Sequence, residues 1–412
     1  MSRNHRLEVD ACIDPAYPPE TSIVLRYRNA FPVEPTEERD AAYKQCLEAV
    51  SLGEGARIFP LMRYRDVDLF VLDETSFMHT RTMRSIAGCV IIAKCRLNGF
   101  DRVVFESGGN SGTALTAYGQ AAGMETFFFL PEENLPLMNG ATFAPETAHL
   151  IAVEKPGEVK RAARLFHEQT GIRHVPLLEW RYEASKYRGY FLLEHMLEHG
   201  GFDWITQTIS AAFGPIGIYS VLCNHAREIG GVPRFLGIQQ TANCPMYRAW
   251  RARSAAVEPV EIDSTDGLIS RILYDVRPHT YGTFDELKRL LEHTDGDMTA
   301  LDGRTFVETL TRPIDGRTVL ETFREHGMDV PVDADGMPVE RTGLMALVGT
   351  LKEIDAGTIA RGSRVLCCLT SALTNADGRA RPDGRVPSAT LEEAVTAYSR
   401  RILARTNGYA QA

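Results

Sequence analysis

For a chain with this much charge, lysine is scarce. The 412 residues include 45 basic side chains, yet lysine occurs only at positions 44, 94, 155, 160, 186, 288 and 352, and the rest are arginine. Chemistry that needs a neutral primary amine therefore has few candidates, because a guanidinium stays protonated at any pH a folded protein survives. No apolar run reaches the ~20 residues needed to cross a bilayer. The N-terminal stretch lacks the charged and apolar pattern of a secretory leader. A cytoplasmic protein with no membrane partner is expected. The eight cysteines form no CxxC pair, so reduced structural thiols are expected rather than a redox or zinc site. Cys367 and Cys368 are neighbours in an apolar run, where a strand would point them to opposite faces. The net charge of −9 comes with basic residues scattered along the chain, which argues against a nucleic-acid partner.

What is present is length, an apolar fraction of 44%, and a regular alternation of short apolar runs with amphipathic stretches. Strands are expected at Val103–Phe105, Thr126–Leu130, 149–154, His174–Leu178, within Trp204–Phe213, and at Pro233–Gln239. Helices are expected at about Glu158–Thr170, Lys186–His199 and Gly217–Gly230. Such alternation implies right-handed βαβ units and mostly parallel sheets. Residues 279–338, rich in Asp, Gly, Thr and Arg, break the pattern and read as an insertion.

Three segments carry chemistry. In Val103–Leu130, a strand, the turn Ser107-Gly108-Gly109-Asn110-Ser111-Gly112 and a helix follow one another. The turn sits at the helix N-terminus, where free N–H groups at Ser111 to Thr113 and the helix dipole offer a seat for an anion. In Ala211–Trp250, the run Gly214-Pro215-Ile216-Gly217 opens a second helix. Pro215 has no N–H to give, and Ile216 brings bulk where backbone would have to approach an anion. In Arg361–Asn375, an apolar strand ends at Thr370-Ser371. A fourth motif, His195-Met-Leu-Glu198-His199, matches the HxxEH pattern of inverted zinc proteases. Glu194, Glu198 and His199 read as a solvated face and no third ligand is indicated, so no metal is expected.

These segments resemble the threonine synthase and cysteate synthase branch of the cysteine synthase-like, pyridoxal-phosphate fold type II enzymes. The likeness covers roughly residues 50–260 and 340–376. It implies two three-layer α/β domains with mostly parallel, tryptophan synthase β-like sheets. The smaller domain would span 80–195, the larger 1–79 and 196–412, and the site would lie between them. The resemblance assigns Ser107, Gly108, Gly109, Asn110, Ser111 and Gly112 to a substrate carboxylate. Gly214, Ile216 and Gly217 fall to a cofactor phosphate, and Thr370 or Ser371 to the pyridine nitrogen. It also implies a homodimer and an amino-acid-like substrate, often phosphorylated, undergoing replacement or elimination.

The family's Schiff-base lysine is missing from both possible registers. Counting back from Gly99 and Ser107 without gaps places Arg84 on it; pairing Ser76-Phe77 with the family's Ser-Phe places Met78 there instead. Lys186, in Ala184-Ser185-Lys186, resembles a lysine that opens a helix near the family's site, and otherwise reads as a solvent-facing charge. Arg84 would either draw a phosphate or carboxylate into the old cofactor cavity or pair with Glu74 or Glu106. The expectation is an enzyme whose pyridoxal phosphate, if any, is not covalently held. The alternatives are an ordinary pyridoxal enzyme or a non-catalytic binder.

Overall fold

The computed structural model describes residues 12–260, 262–374 and 380–409, with side chains to 405. Residues 1–11 of the expected large domain, Asn375 of the third motif and the last three residues lie outside these. Two sheets organise the rest. The larger has the order β1 (Arg57–Tyr64), β2 (Val67–Asp73), β10 (Arg364–Leu369), β7 (Trp204–Thr208), β8 (Arg234–Gln240) and β9 (Asp297–Leu301). The smaller runs β11 (Gly384–Val386), β5 (Ala148–Val153), β4 (Glu125–Pro131), β3 (Arg102–Glu106) and β6 (Arg173–His174). Among these strands of the described residues, only the β1–β2 pair is antiparallel.

The central strands follow from their composition. A parallel strand covered by helices on both faces must be apolar at every position. The β4 sequence ETFFFLP is buried from Thr126 onward, and β10 is buried from Val365 to Leu369. Cys367 packs in one core cluster and Cys368 in another, as their opposite directions require. All eight cysteines are free thiols.

Four expectations need correction. The His174–Leu178 strand shrinks to Arg173–His174, because Pro176 has no N–H for a ladder. The helix expected from Lys186 begins at Leu178 and runs to His199. The 279–338 stretch is no mere insertion: it supplies a helix, Phe284–His293, and the edge strand β9. Irregular backbone instead fills 252–283, which among its described residues holds neither α-helix nor strand. Finally, Gly384–Val386 pairs with β5, and the helix Leu391–Tyr409 packs on Val159–Thr170, so the smaller sheet draws on the C-terminus as well as on 80–195.

The helix Leu178–His199 lies against Phe213–Asn224 with glycine at the crossing. A Cβ on Gly217 would come within 2.3 Å of Ser185 Cβ, and one on Gly189 within 2.8 Å of Val221 Cβ. Gly217 is thus needed for helix packing.

Candidate active site

The C-terminal ends of the strands face a cavity of about 120 Å³. Its walls are the Thr82–Arg84 helix start, the Ser107–Ser111 turn, Gln207–Gly214 after β7, Ile272–Asp275 with Tyr281, and Thr342 with Thr370 and Ser371; Glu106, Lys160 and Arg181 also line it. Crevices beyond strand carboxyl ends are the usual ligand sites of such sheets.

The glycine turn is built as expected, with a different use of its donors. Ser107 Oγ accepts the N–H groups of Gly109 at 3.1 Å and Gly112 at 2.8 Å. The Thr113 N–H goes to the Gly109 carbonyl at 2.9 Å. Ser107 therefore staples the turn, and the free donors expected at Gly112 and Thr113 are already committed. The first-turn N–H groups of Asn110 and Ser111 remain, since a helix start has no carbonyl to offer them. Gly109, at φ 157°, takes a conformation that side-chain-bearing residues avoid. Gly112 does not touch the cavity, and a Cβ there would sit 2.1 Å from the Phe128 ring, so its role is to let the helix lie on β4. From outside, Asn134 Nδ2 donates to the Gly108 carbonyl at 2.8 Å, and the Ile272 carbonyl would lie 2.4 Å from a Cβ on Gly108.

Asn110 joins the turn to the far end of the larger sheet. Its Nδ2 donates to Ser371 Oγ at 3.3 Å and to Glu340 Oε2 at 3.2 Å. Thr370 is buried, and its carbonyl accepts the Met83 N–H at 3.0 Å. The turn, the Arg84 helix and Thr370-Ser371, expected as one site from distant segments, thus meet at one cavity. The Gly214–Gly217 run meets it only in part. Gly214 lines the cavity, while Ile216 spends its N–H on the Ala212 carbonyl at 3.3 Å and, like Gly217, lies off the cavity wall. Any anion at this helix start would face Ser210–Gly214 instead.

Of the two lysine-register candidates, Arg84 lines the cavity and Met78 is 2% exposed in the core. Neither acid expected to neutralise Arg84 is free. Glu74 takes a bidentate pair with Arg188, at 2.5 and 2.6 Å, and Glu106 Oε2 lies 2.5 Å from His174 Nε2. Burial, then the positive fields of Arg181 and Arg188, push Arg84 down to about 10. Lys186 does not reach the cavity; its Nζ lies 5.4 Å from the Phe31 ring. The lysine that does reach it among the described residues is Lys160, which the sequence did not single out. Its Nζ sits 3.0 Å from Asp275 and 3.3 Å from Thr280 Oγ1, over the Tyr281 ring. Asp275 raises its pKa against the opposing effect of burial, which keeps it an ammonium. Arg181 was likewise missed. It stacks on Phe213 at 5.3 Å and Tyr281 at 5.2 Å, contacts between segments about 30 to 100 residues apart that no local pattern announces.

The HxxEH helix places His195 against Phe202 and His199. Among the described residues no group of three or more His, Cys, Asp or Glu is arranged to hold a metal, and no helix is long and apolar enough to cross a membrane.

No protein-family model matches this chain, and no curated protein does. Solved structures do. Threonine deaminase isoform 2 from Solanum lycopersicum superposes with a TM-score of 0.56 at 11% identity, over 84% of this chain and 93% of that one. A pyridoxal 5'-phosphate-dependent aspartate racemase gives 0.56 at 13%, over 82% and 97%. O-acetyl serine sulfhydrylase isoform 3 from Entamoeba histolytica gives 0.52 at 13%, over 85% and 95%. With its two mostly parallel sheets and a cavity at their strand ends, the chain has the pyridoxal-phosphate fold type II architecture, tryptophan synthase β-like.

Proposed function

We propose that this protein is a divergent, threonine synthase-like enzyme, a lyase or transferase that replaces or eliminates a group on an amino-acid-like, phosphorylated substrate without a lysine-bound cofactor. One observation carries the reading: the glycine turn and Ser371 meet in a cavity where the helix-start residue is Arg84 and the nearby lysine is tied to Asp275. The N–H groups of Asn110 and Ser111 hold the substrate carboxylate, with Ser107, Gly108 and Gly109 fixing their direction and Gly112 seating the helix. Asn110 and Ser371, hydrogen-bonded to each other, form the wall beside which the reacting group sits. Arg84 faces the negative charge that develops on a departing anion, and the enclosing 272–281 segment keeps water from it.

Pyridoxal phosphate held as an imine does not suit these residues. That bond forms from a neutral amine, and neither Arg84 nor an ion-paired Lys160 offers one. The same fact favours a second reading, a non-catalytic binder of the same ligand. The fold's solved relatives, a deaminase, a racemase and a sulfhydrylase by name, support amino-acid chemistry of the enzyme kind. We place the protein in the cytoplasm as a homodimer. The test is turnover of O-phosphoserine, O-phosphohomoserine and O-acetylserine, followed by NMR for release of phosphate or acetate, with and without added pyridoxal phosphate. Release from one of the phosphorylated compounds is expected. Saturable binding of all with no release would favour the binder, and no binding at all would end both readings.

A further inference from the structure

A smaller cavity of about 30 Å³ adjoins the main one and shares Met83, Arg84, Glu106, Ser111 and Arg181 with it. Arg188 also lines it. Three arginines from two helices therefore converge beside the Ser111 end of the glycine turn, and their counter-charges are nearly all spent. Glu74 holds Arg188 through Nε and Nη2, Glu106 faces His174, and Asp275 holds Lys160. Among the described residues, Arg84 and Arg181 have neither an ion pair nor a side-chain hydrogen bond to an acid. Arg188, 2% exposed, leaves its buried Nη1 without any partner. Stacking of Arg181 on Phe213 and Tyr281 offsets part of its cost, yet an aromatic face does not satisfy guanidinium donors. Arg84 and Arg181 are half-buried and turn their free donors to the cavities, while Arg188 is the fully buried one, and a buried cation with an unpaired donor is costly and rarely kept without a compensating group.

We infer that Arg84, Arg181 and Arg188 form a phosphoryl subsite next to Ser111, which takes the second anion of a ligand whose carboxylate lies on Asn110 and Ser111. This deepens the function proposed above and rests on it only for the carboxylate end. A dianionic phosphoryl group suits the site better than a second carboxylate. It brings more charge and three acceptor oxygens to guanidinium forks that present several donors each. The assignment also moves the phosphate away from the Phe213–Asn224 helix start. There Pro215 and Ile216 contribute no free backbone N–H, and beside Gly214 the donors are side chains, Gln207 Nε2 and the unpartnered Arg188 Nη1, each within 2.8 Å of where a Cβ would stand, so an anion is met by Arg188 and not by the helix backbone. The phosphoryl group can come from a phosphoamino acid or from pyridoxal phosphate.

Calorimetry separates the sources and the claims. O-phosphoserine, serine, aspartate, inorganic phosphate and pyridoxal phosphate are titrated into the full chain and into Arg181→Gln, Arg181→Lys, Arg84→Gln and Asn110→Ala, each checked for folding by its melting temperature. Wild type is expected to bind O-phosphoserine well ahead of serine and aspartate. Arg181→Gln and Arg84→Gln should each lose about 10- to 100-fold toward O-phosphoserine and inorganic phosphate and little toward serine, with Arg181→Lys between. If pyridoxal phosphate alone shows that arginine-dependent loss, the subsite stands and its phosphoryl source is the cofactor. Unchanged affinity for O-phosphoserine, inorganic phosphate and pyridoxal phosphate in both arginine variants, with a loss toward O-phosphoserine in Asn110→Ala, would overturn the subsite and leave the carboxylate site intact. Loss toward neither, with all five compounds bound alike or not at all, would overturn both.

Discussion

The two walls of the cavity, the glycine turn and the meeting point of the arginines, differ in how they obtain their chemistry. The turn is local: eleven residues of strand, turn and helix place its donors, and its own Ser107 satisfies two of its N–H groups. The arginine wall is wholly tertiary. Arg84 opens one helix, Arg181 and Arg188 lie on another, and the acid that pairs with Arg188, Glu74, follows β2, while Glu106 is taken by His174 and Asp275 by Lys160. A turn can keep its form in a diverging chain because one hydroxyl and a few glycines suffice. A charged wall changes character when a single neutralising contact changes.

That contrast can be broken first at its buried anchor. Removing Arg188 as Arg188→Met leaves Glu74, fully buried, without its partner. Loss of one member of a buried pair costs about 3–5 kcal/mol of stability, read as a shift of the denaturation midpoint. Burial already raises the Glu74 pKa, with Arg188 opposing it, and the variant should raise it further. A carboxyl whose folded pKa is raised binds more protons folded than unfolded, so the variant should regain stability as pH falls through the Glu74 folded value toward the unfolded one and lose it as pH rises between the two. A midpoint independent of pH between about 5 and 8 would mean Glu74 finds another partner.

The turn offers the next test. Gly112→Val should cost about 1–3 kcal/mol or more of stability, because its Cβ would meet the Phe128 ring at 2.1 Å and overpack a full core. Chemical denaturation measures it. If the variant kept wild-type stability and lost only ligand affinity, Gly112 would belong to the binding surface instead of to the packing beneath it.

How much of this was legible depends on the range of the interactions. The β3–turn–helix–β4 unit reads directly from VVFESGGNSG and the apolar run after it, since period, glycine and helix start are all local. The convergence of Asn110, Arg84 and Ser371 was legible through the family resemblance, and they do share the cavity. Their hydrogen bonds were not, because Glu340, which shares Asn110, sits just beyond the stretch that reads as an insertion. Ile216 and Gly217 lie off the cavity wall, and the sequence did not show it because a glycine that packs helices looks the same as one that faces an anion. Lys160 and Arg181 had no signal: each sits on an ordinary amphipathic helix, and only the fold turns it toward the cleft.

The central claim is that this cavity holds an amino-acid-like anion among arginines and offers no free amine to a cofactor. It is tested most directly by adding pyridoxal phosphate to the purified protein, recording the visible spectrum, reducing with borohydride and mapping peptides by mass. The account predicts no imine band and no pyridoxyl adduct in wild type, and a trappable adduct in Arg84→Lys. A stoichiometric adduct on wild-type Lys160 or Lys186 would contradict it.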